Sequence, residues 1–229
     1  MLMTATPSAP QPARRFVRLL AGASLDMSRR LARDNSANSL IEFAYSLPIF
    51  LTMGMYGTEL ANMAMTSMQV SQVAMALADN SARLGQTDNS AVLPSITSAM
   101  VNSVTGGAMK QGSTINFQTN GRVILSSLEQ NASGRQYIHW QRCKGNFARN
   151  SAYGPLNYGA SGAAITGLGK NNIAAPAGQA VMFVEAYYSY KSLFGTMFVN
   201  NAVISQEAAF LIRDRRDLTS GIAGTTDCP

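Results

Sequence analysis

SANSLIEFAYSLPIFLTMGMYG, residues 36–57, is an apolar stretch that follows a basic leader and carries one acid, Glu42, near its start. An acidic side chain at the centre of a membrane-spanning helix costs ~2.5–3.5 kcal/mol on translocon-type scales, so an acid at such a depth calls for a partner or a task. The apolar run 40–56 is short against the ~20 residues of an ideal span and is diluted by Glu42, Ser46, Thr52 and Gly54. Extending it through Leu60 and Met63 supplies the length but adds Glu59 and Asn62, which makes the outer boundary gradual.

Upstream, Arg14, Arg15, Arg18, Arg29, Arg30 and Arg33 face only Asp26 and Asp34. Basic residues next to a span stay in the cytoplasm, which places the N-terminus inside and the body outside. Residues 1–13 are rich in Ala, Pro, Ser and Thr and are expected to be disordered. Residues 14–33 can form a short basic amphipathic helix through Phe16, Leu19, Leu20, Leu25 and Leu31, lying on the inner membrane surface. A secretory signal would end in a small-residue cleavage site after its apolar core; here the core runs straight into a helical pattern, so the segment is expected to be retained. The first 37 residues carry six basic and two acidic groups, +4, and the remainder twelve and ten, +2. The high pI is therefore mostly a leader effect, and the scattered basic residues beyond it argue against nucleic-acid binding.

Downstream, Met53, Tyr56, Leu60, Met63, Ser67, Val70, Ala74, Leu77, Ser81 and Leu84 recur at spacings of three and four, which predicts one helix from about Ser39 to Leu84. Gly85 is its expected C-cap, followed by the polar turn 86–90. Pro48 lacks a backbone donor and predicts a mild kink. The methionine-rich stripe reads as core packing rather than as a cofactor box.

A basic leader, a small residue and then Ile41, Glu42, Phe43, Ala44, Leu47 and Pro48 opening a long helix resembles the TadE-like pseudopilins, over roughly residues 30–85. The resemblance implies the bacterial inner membrane, removal of the leader by a prepilin peptidase between Ala37 and Asn38, and, as partners, other pilins and the pilus assembly machinery. Glu42 would then be the fifth residue of the mature chain, the spacing of type IV pilin-like proteins; Ala37 stands where the family usually carries Gly. Independently of the family, cleavage would expose an ammonium that can sit beside a neighbour's Glu42, each charge offsetting the other's desolvation. Glu42 and Phe43 are thus the candidate assembly contact. The alternative is that Glu42 merely reaches the cytoplasmic headgroups.

The expected organisation is a leader (1–37), a long helix whose first half crosses the membrane (38–85) and an extracytoplasmic α+β domain (86–229). Within the domain, residues 92–104 read as a second, shorter helix ended by Gly106 and Gly107. Strands are expected at 114–119, 122–128, 136–142, 179–192 and 203–213, forming an antiparallel sheet. Val181, Phe183, Val184, Tyr187, Tyr188 and Tyr190 are expected to face Val203, Ile204, Phe210 and Leu211 across a core. Residues 144–177, rich in Gly, Asn, Ala and Ser, read as a long irregular excursion. Cys143 and Cys228, an even pair on the outer side, predict a disulfide pinning the excursion's base to the tail; the alternative is two free thiols.

No catalytic, cofactor or metal constellation emerges. His139 is the single histidine, beside Trp140, and would have to centre any triad alone. Glu129, Glu185 and Glu207 are isolated in sequence, and residues 162–170, GAAITGLGK, lack the lysine and hydroxyl positions of a phosphate loop. With neither an enzyme nor a small-molecule substrate indicated, two functions remain. One is a minor pseudopilin-like structural protein of a tight-adherence pilus or related secretion apparatus; the other is a membrane-anchored binding or adhesion module whose 144–177 loop contacts a ligand.

Overall fold

The computed structural model describes residues 27, 36–85, 93–213, 215–222 and 228. Apart from Met27, the leader helix expected at 14–33 lies outside the described residues, as does the turn 86–90. Two compact units divide the chain, 1–55 and 56–229.

Helix α1, Ser36–Ala82, is 47 residues long and runs through Pro48. From Tyr56 onward it belongs to the second unit, where Glu59, Thr66, Val70, Val73, Ala74, Leu77, Ala78, Ser81 and Ala82 are buried. Those spacings put one continuous ridge on the domain core. The apolar stripe read from sequence coincides with it at Val70, Ala74, Leu77 and Ser81 but departs earlier. Tyr56 and Leu60 are exposed while Glu59 is fully buried, because the domain supplies hydrogen-bond donors to that carboxylate, and a satisfied acid can occupy a core position.

The helix ends at Ala82, two residues short of the expected Leu84, and residues 83–85 form a turn in which Gly85 takes a φ of +82° that suits glycine. Its last carbonyls are capped from far along the chain. Arg213 N donates to Ala82 O at 3.1 Å, and Arg216 Nη1 donates to Ser81 O at 3.3 Å and Leu84 O at 3.5 Å. Burial pushes the Arg216 guanidinium down to about 10, an effect the Glu129 charge opposes.

Helix α2, Ser98–Gln111, starts later than expected, because the Thr97 hydroxyl oxygen caps it by accepting from Met100 N. It continues through Gly106 and Gly107, held by the buried face Val101, Thr105, Ala108 and Met109. The strand expected at 114–119 is not formed: a 3-10 turn, Gly112–Ile115, and a four-residue helix α3, Phe117–Asn120, take its place. Asn116 between them is left-handed (φ 52°), which breaks an extended run, and Phe117 turns fully inward to stack on Tyr188 with ring centroids 5.9 Å apart.

Four antiparallel strands follow: β1 Gly121–Gln130, β2 Gln136–Lys144, β3 Ala180–Ser189 and β4 Val203–Leu211. Their order in the sheet is β2-β1-β3-β4. β3 and β4 are neighbours in this sheet, Val181 pairing with Leu211 and Tyr188 with Ile204, rather than opposing walls of a core as expected. The side-chain period of two splits β3 instead. Ala180, Met182, Val184, Ala186 and Tyr188 join Val70, Val73 and Leu77 of α1 in the main core. Val181 and Phe183 point the other way, onto Leu168 and Ala175 of the excursion. The segment between β2 and β3 is therefore irregular, as expected, but it forms a packed lid on the second face of the sheet. This is why β1 and β3 are buried nearly throughout. Cys143 and Cys228 form a disulfide with Cα atoms 5.0 Å apart, next to Ile124, Tyr187 and Phe147.

Candidate functional site: the exposed apolar half of helix α1

The first half of α1 is apolar and outward-facing on every side. Leu40, Ile41, Phe43, Tyr45, Ile49, Phe50, Leu51 and Met53 are all exposed, Phe50 at 70%, although side chains of this kind normally form cores. The apolar run 40–56 at 1.5 Å per residue makes about 25 Å of helix, a few ångströms short of a bilayer's hydrocarbon core. Two hydroxyls within the stretch are satisfied locally. Ser46 Oγ donates to Phe43 O at 3.2 Å and Thr52 Oγ1 to Ile49 O at 2.9 Å, so neither hydroxyl needs water.

Ala37 and Asn38 fall in the first turn of α1. Glu42 and Phe43 follow on the exposed surface, Phe43 at 62%, with Glu42 about 3 Å of helix rise beyond Leu40. What this half of the helix can do is insert into an apolar medium or pack against other apolar helices, carrying one carboxylate close to its edge.

Glu59, and the carboxylates Glu129, Glu185 and Glu207 that are isolated in sequence, each have their own donors. Glu59 Oε1 accepts from the Tyr190 hydroxyl at 2.7 Å, and Oε2 accepts from Leu193 N at 3.0 Å and Phe194 N at 3.3 Å. Asn62 Nδ2 donates to the same tyrosine oxygen at 2.7 Å. Burial, and then the bond to Glu59, raise the Tyr190 pKa. Glu185 accepts from the hydroxyl of Ser151, from Ala152 N and from the hydroxyl of Tyr187. Opposite it on β4, Glu207 accepts from the Tyr153 hydroxyl at 2.6 Å and from Lys170 N at 3.1 Å. These bonds tie the lid to the sheet.

His139 stands at a bulge. Trp140 pairs with Ser127 and Ile138 with Leu128, leaving the histidine as the extra residue, with Nδ1 2.8 Å from Glu129 Oε2. That bond raises its pKa against the opposing effect of burial. Ser127 Oγ donates to Glu129 Oε1 at 2.7 Å, so serine and histidine each meet the carboxylate separately and form no nucleophile–base pair. Strand spacing could have revealed part of this, since residues two apart share a face, as Ser127 with Glu129 and Glu185 with Tyr187 do. Glu59 and Tyr190, 131 positions apart, left no comparable mark.

The fold and this surface define an α+β protein in which, among the described residues, one helix is long and apolar enough, by length and composition, to cross a membrane, and whose domain is closed by a disulfide. Comparison with protein-family models, with curated proteins and with solved structures finds no match to this chain.

Proposed function

We propose that this protein is a minor, pseudopilin-like structural subunit for assembly of a tight-adherence pilus or related secretion apparatus. It sits in a bacterial inner membrane through α1, with its N-terminus cytoplasmic and its disulfide-closed domain outside, an arrangement compatible with an oxidising compartment. One observation carries this reading. The apolar half of α1 keeps its side chains exposed, and the same unbroken helix then supplies the ridge on which the domain core is built. A module needing only a tether has no use for an anchor that is also its central core helix, whereas a subunit meant to stack with copies or homologues through that helix does.

The lid weighs against the adhesion alternative. Its apolar residues Leu168 and Ala175 are buried on the sheet, and its backbone amides at Ala152 and Lys170 are bound by Glu185 and Glu207. Within the proposed role, cleavage between Ala37 and Asn38 creates the ammonium that pairs with a neighbour's Glu42. Intact-mass measurement of the chain purified from its native membrane tests this. A mature chain beginning at Asn38 is expected, and a chain retaining the leader would remove the basis for the proposal.

A further inference from the structure

We propose that the loop joining β3 to β4, residues 190–202, is a second membrane contact, its apolar tip entering the outer interfacial layer of the bilayer near Tyr56, where the apolar run of α1 ends. The proposal rests on reading the apolar half of α1 as the span. The loop sequence YKSLFGTMFVNNA holds four large apolar side chains and a single charge, Lys191. Leu193 is 56% and Met197 67% exposed, although nothing in the chemistry of a soluble turn calls for either.

The projection is built and held in place. Leu193 N and Phe194 N both donate to the buried carboxylate of Glu59. Tyr190 N closes the loop's base on Ala202 O at 2.9 Å, and the Ser192 hydroxyl donates to Gly195 O. Phe194 meets Phe198 edge-on at 6.1 Å, and Phe198 packs on Tyr56 at 5.7 Å. Tyr56 is the last residue of the apolar run 40–56 and the first of the folded domain. A tyrosine at that position suits the membrane–water boundary, with its ring in the apolar layer and its hydroxyl in water. The loop is therefore packed at Tyr56, the residue with which the apolar run ends.

The run 40–56 makes about 25 Å of helix, a few ångströms less than the hydrocarbon core, and an apolar collar at its outer end covers the shortfall. Lys191 at the collar's margin can reach lipid phosphates with its apolar stem along the surface. Glu59, which would oppose such an approach, is enclosed by its three donors.

Depth-dependent fluorescence quenching in vesicles tests the inference. The full chain is reconstituted in phosphatidylcholine vesicles on a Trp140→Phe background, and tryptophan is introduced singly as Leu193→Trp, Met197→Trp, Phe50→Trp in the span, or Leu156→Trp in the lid. Should Trp140→Phe fail to fold, Trp140 is retained as a buried, constant background. Tryptophans at 193 and 197 are expected to lose more emission to lipids brominated near the glycerol end than to lipids brominated deep in the chain, and to be shielded from aqueous iodide. Position 50 should show the reverse depth preference, and position 156 should respond to iodide alone. Quenching of 193 and 197 by iodide but not by lipid, with 50 still quenched by lipid, overturns the loop contact and leaves the span intact. Loss of lipid quenching at 50 overturns the span reading and, with it, this inference.

Discussion

Replacing Glu59 by alanine should destabilise the domain by ~2–4 kcal/mol. The carboxylate is fully buried and accepts from the Tyr190 hydroxyl and from the amides of Leu193 and Phe194. Hydrogen bonds to a charged acceptor contribute ~1.5–3 kcal/mol each. The loss is smaller than their sum because the donors have partial recourse. The Tyr190 hydroxyl lies 3.4 Å from the backbone carbonyl of Glu59, and the two amides are only partly buried, so water can reach them. At ~2–4 °C per kcal/mol for a domain of this size, ~3 kcal/mol lowers the unfolding midpoint by ~6–12 °C. Glu59→Gln keeps the volume but turns an NH₂ group toward donors on one side, and should cost an intermediate amount. Thermal unfolding of the full chain in detergent measures the midpoint, and hydrogen exchange reports the Leu193 and Phe194 amides separately. A stability within ~0.5 kcal/mol of wild type, with both amides as protected as before, would refute the assignment of Glu59 as the anchor of the β3–β4 loop.

Cys228→Ser, or reduction of the wild type, should lower stability by ~2–5 kcal/mol, since the Cys143–Cys228 bond spans 85 positions and restricts the unfolded chain; a urea midpoint indifferent to reductant would contradict this. His139 has a folded pKa above its ordinary 6.5 through its bond to Glu129. Its stabilising contribution is thus fully present below about pH 6.5 and is lost as pH rises through the elevated value. Unfolding midpoints measured from pH 5.5 to 8.5 should decline across that window in wild type and stay flatter in His139→Asn, and parallel profiles would exclude the ion pair as the cause.

How much was legible depended on the range of each interaction. The long helix and four of the strands are written in local periodicity and turn chemistry, so they can be read along the chain, although the helix stops at Ala82, ahead of the expected Leu84. The second helix and the segment after it depart from their local signals because tertiary packing overrides them. Two adjacent glycines look like a terminus, yet the buried face of Val101, Thr105, Ala108 and Met109 carries the helix through them. Residues 114–119 look extended, yet burying Phe117 against Tyr188 coils them.

Sequence alone determined that this chain has an apolar stretch with one acid near its start, a helix continuing beyond it and a cysteine pair positioned to close the domain. Hydropathy, period and composition are properties of neighbouring residues, and they need no fold to be expressed. Only the tertiary structure decided where lipid-compatible surface ends and protein core begins. Glu59 and Asn62 look like the outer fringe of the span, but Tyr190, Leu193 and Phe194 arrive from the far end of the chain to satisfy that acid. A buried charge is tolerated only where donors converge, and convergence of distant segments is settled by folding.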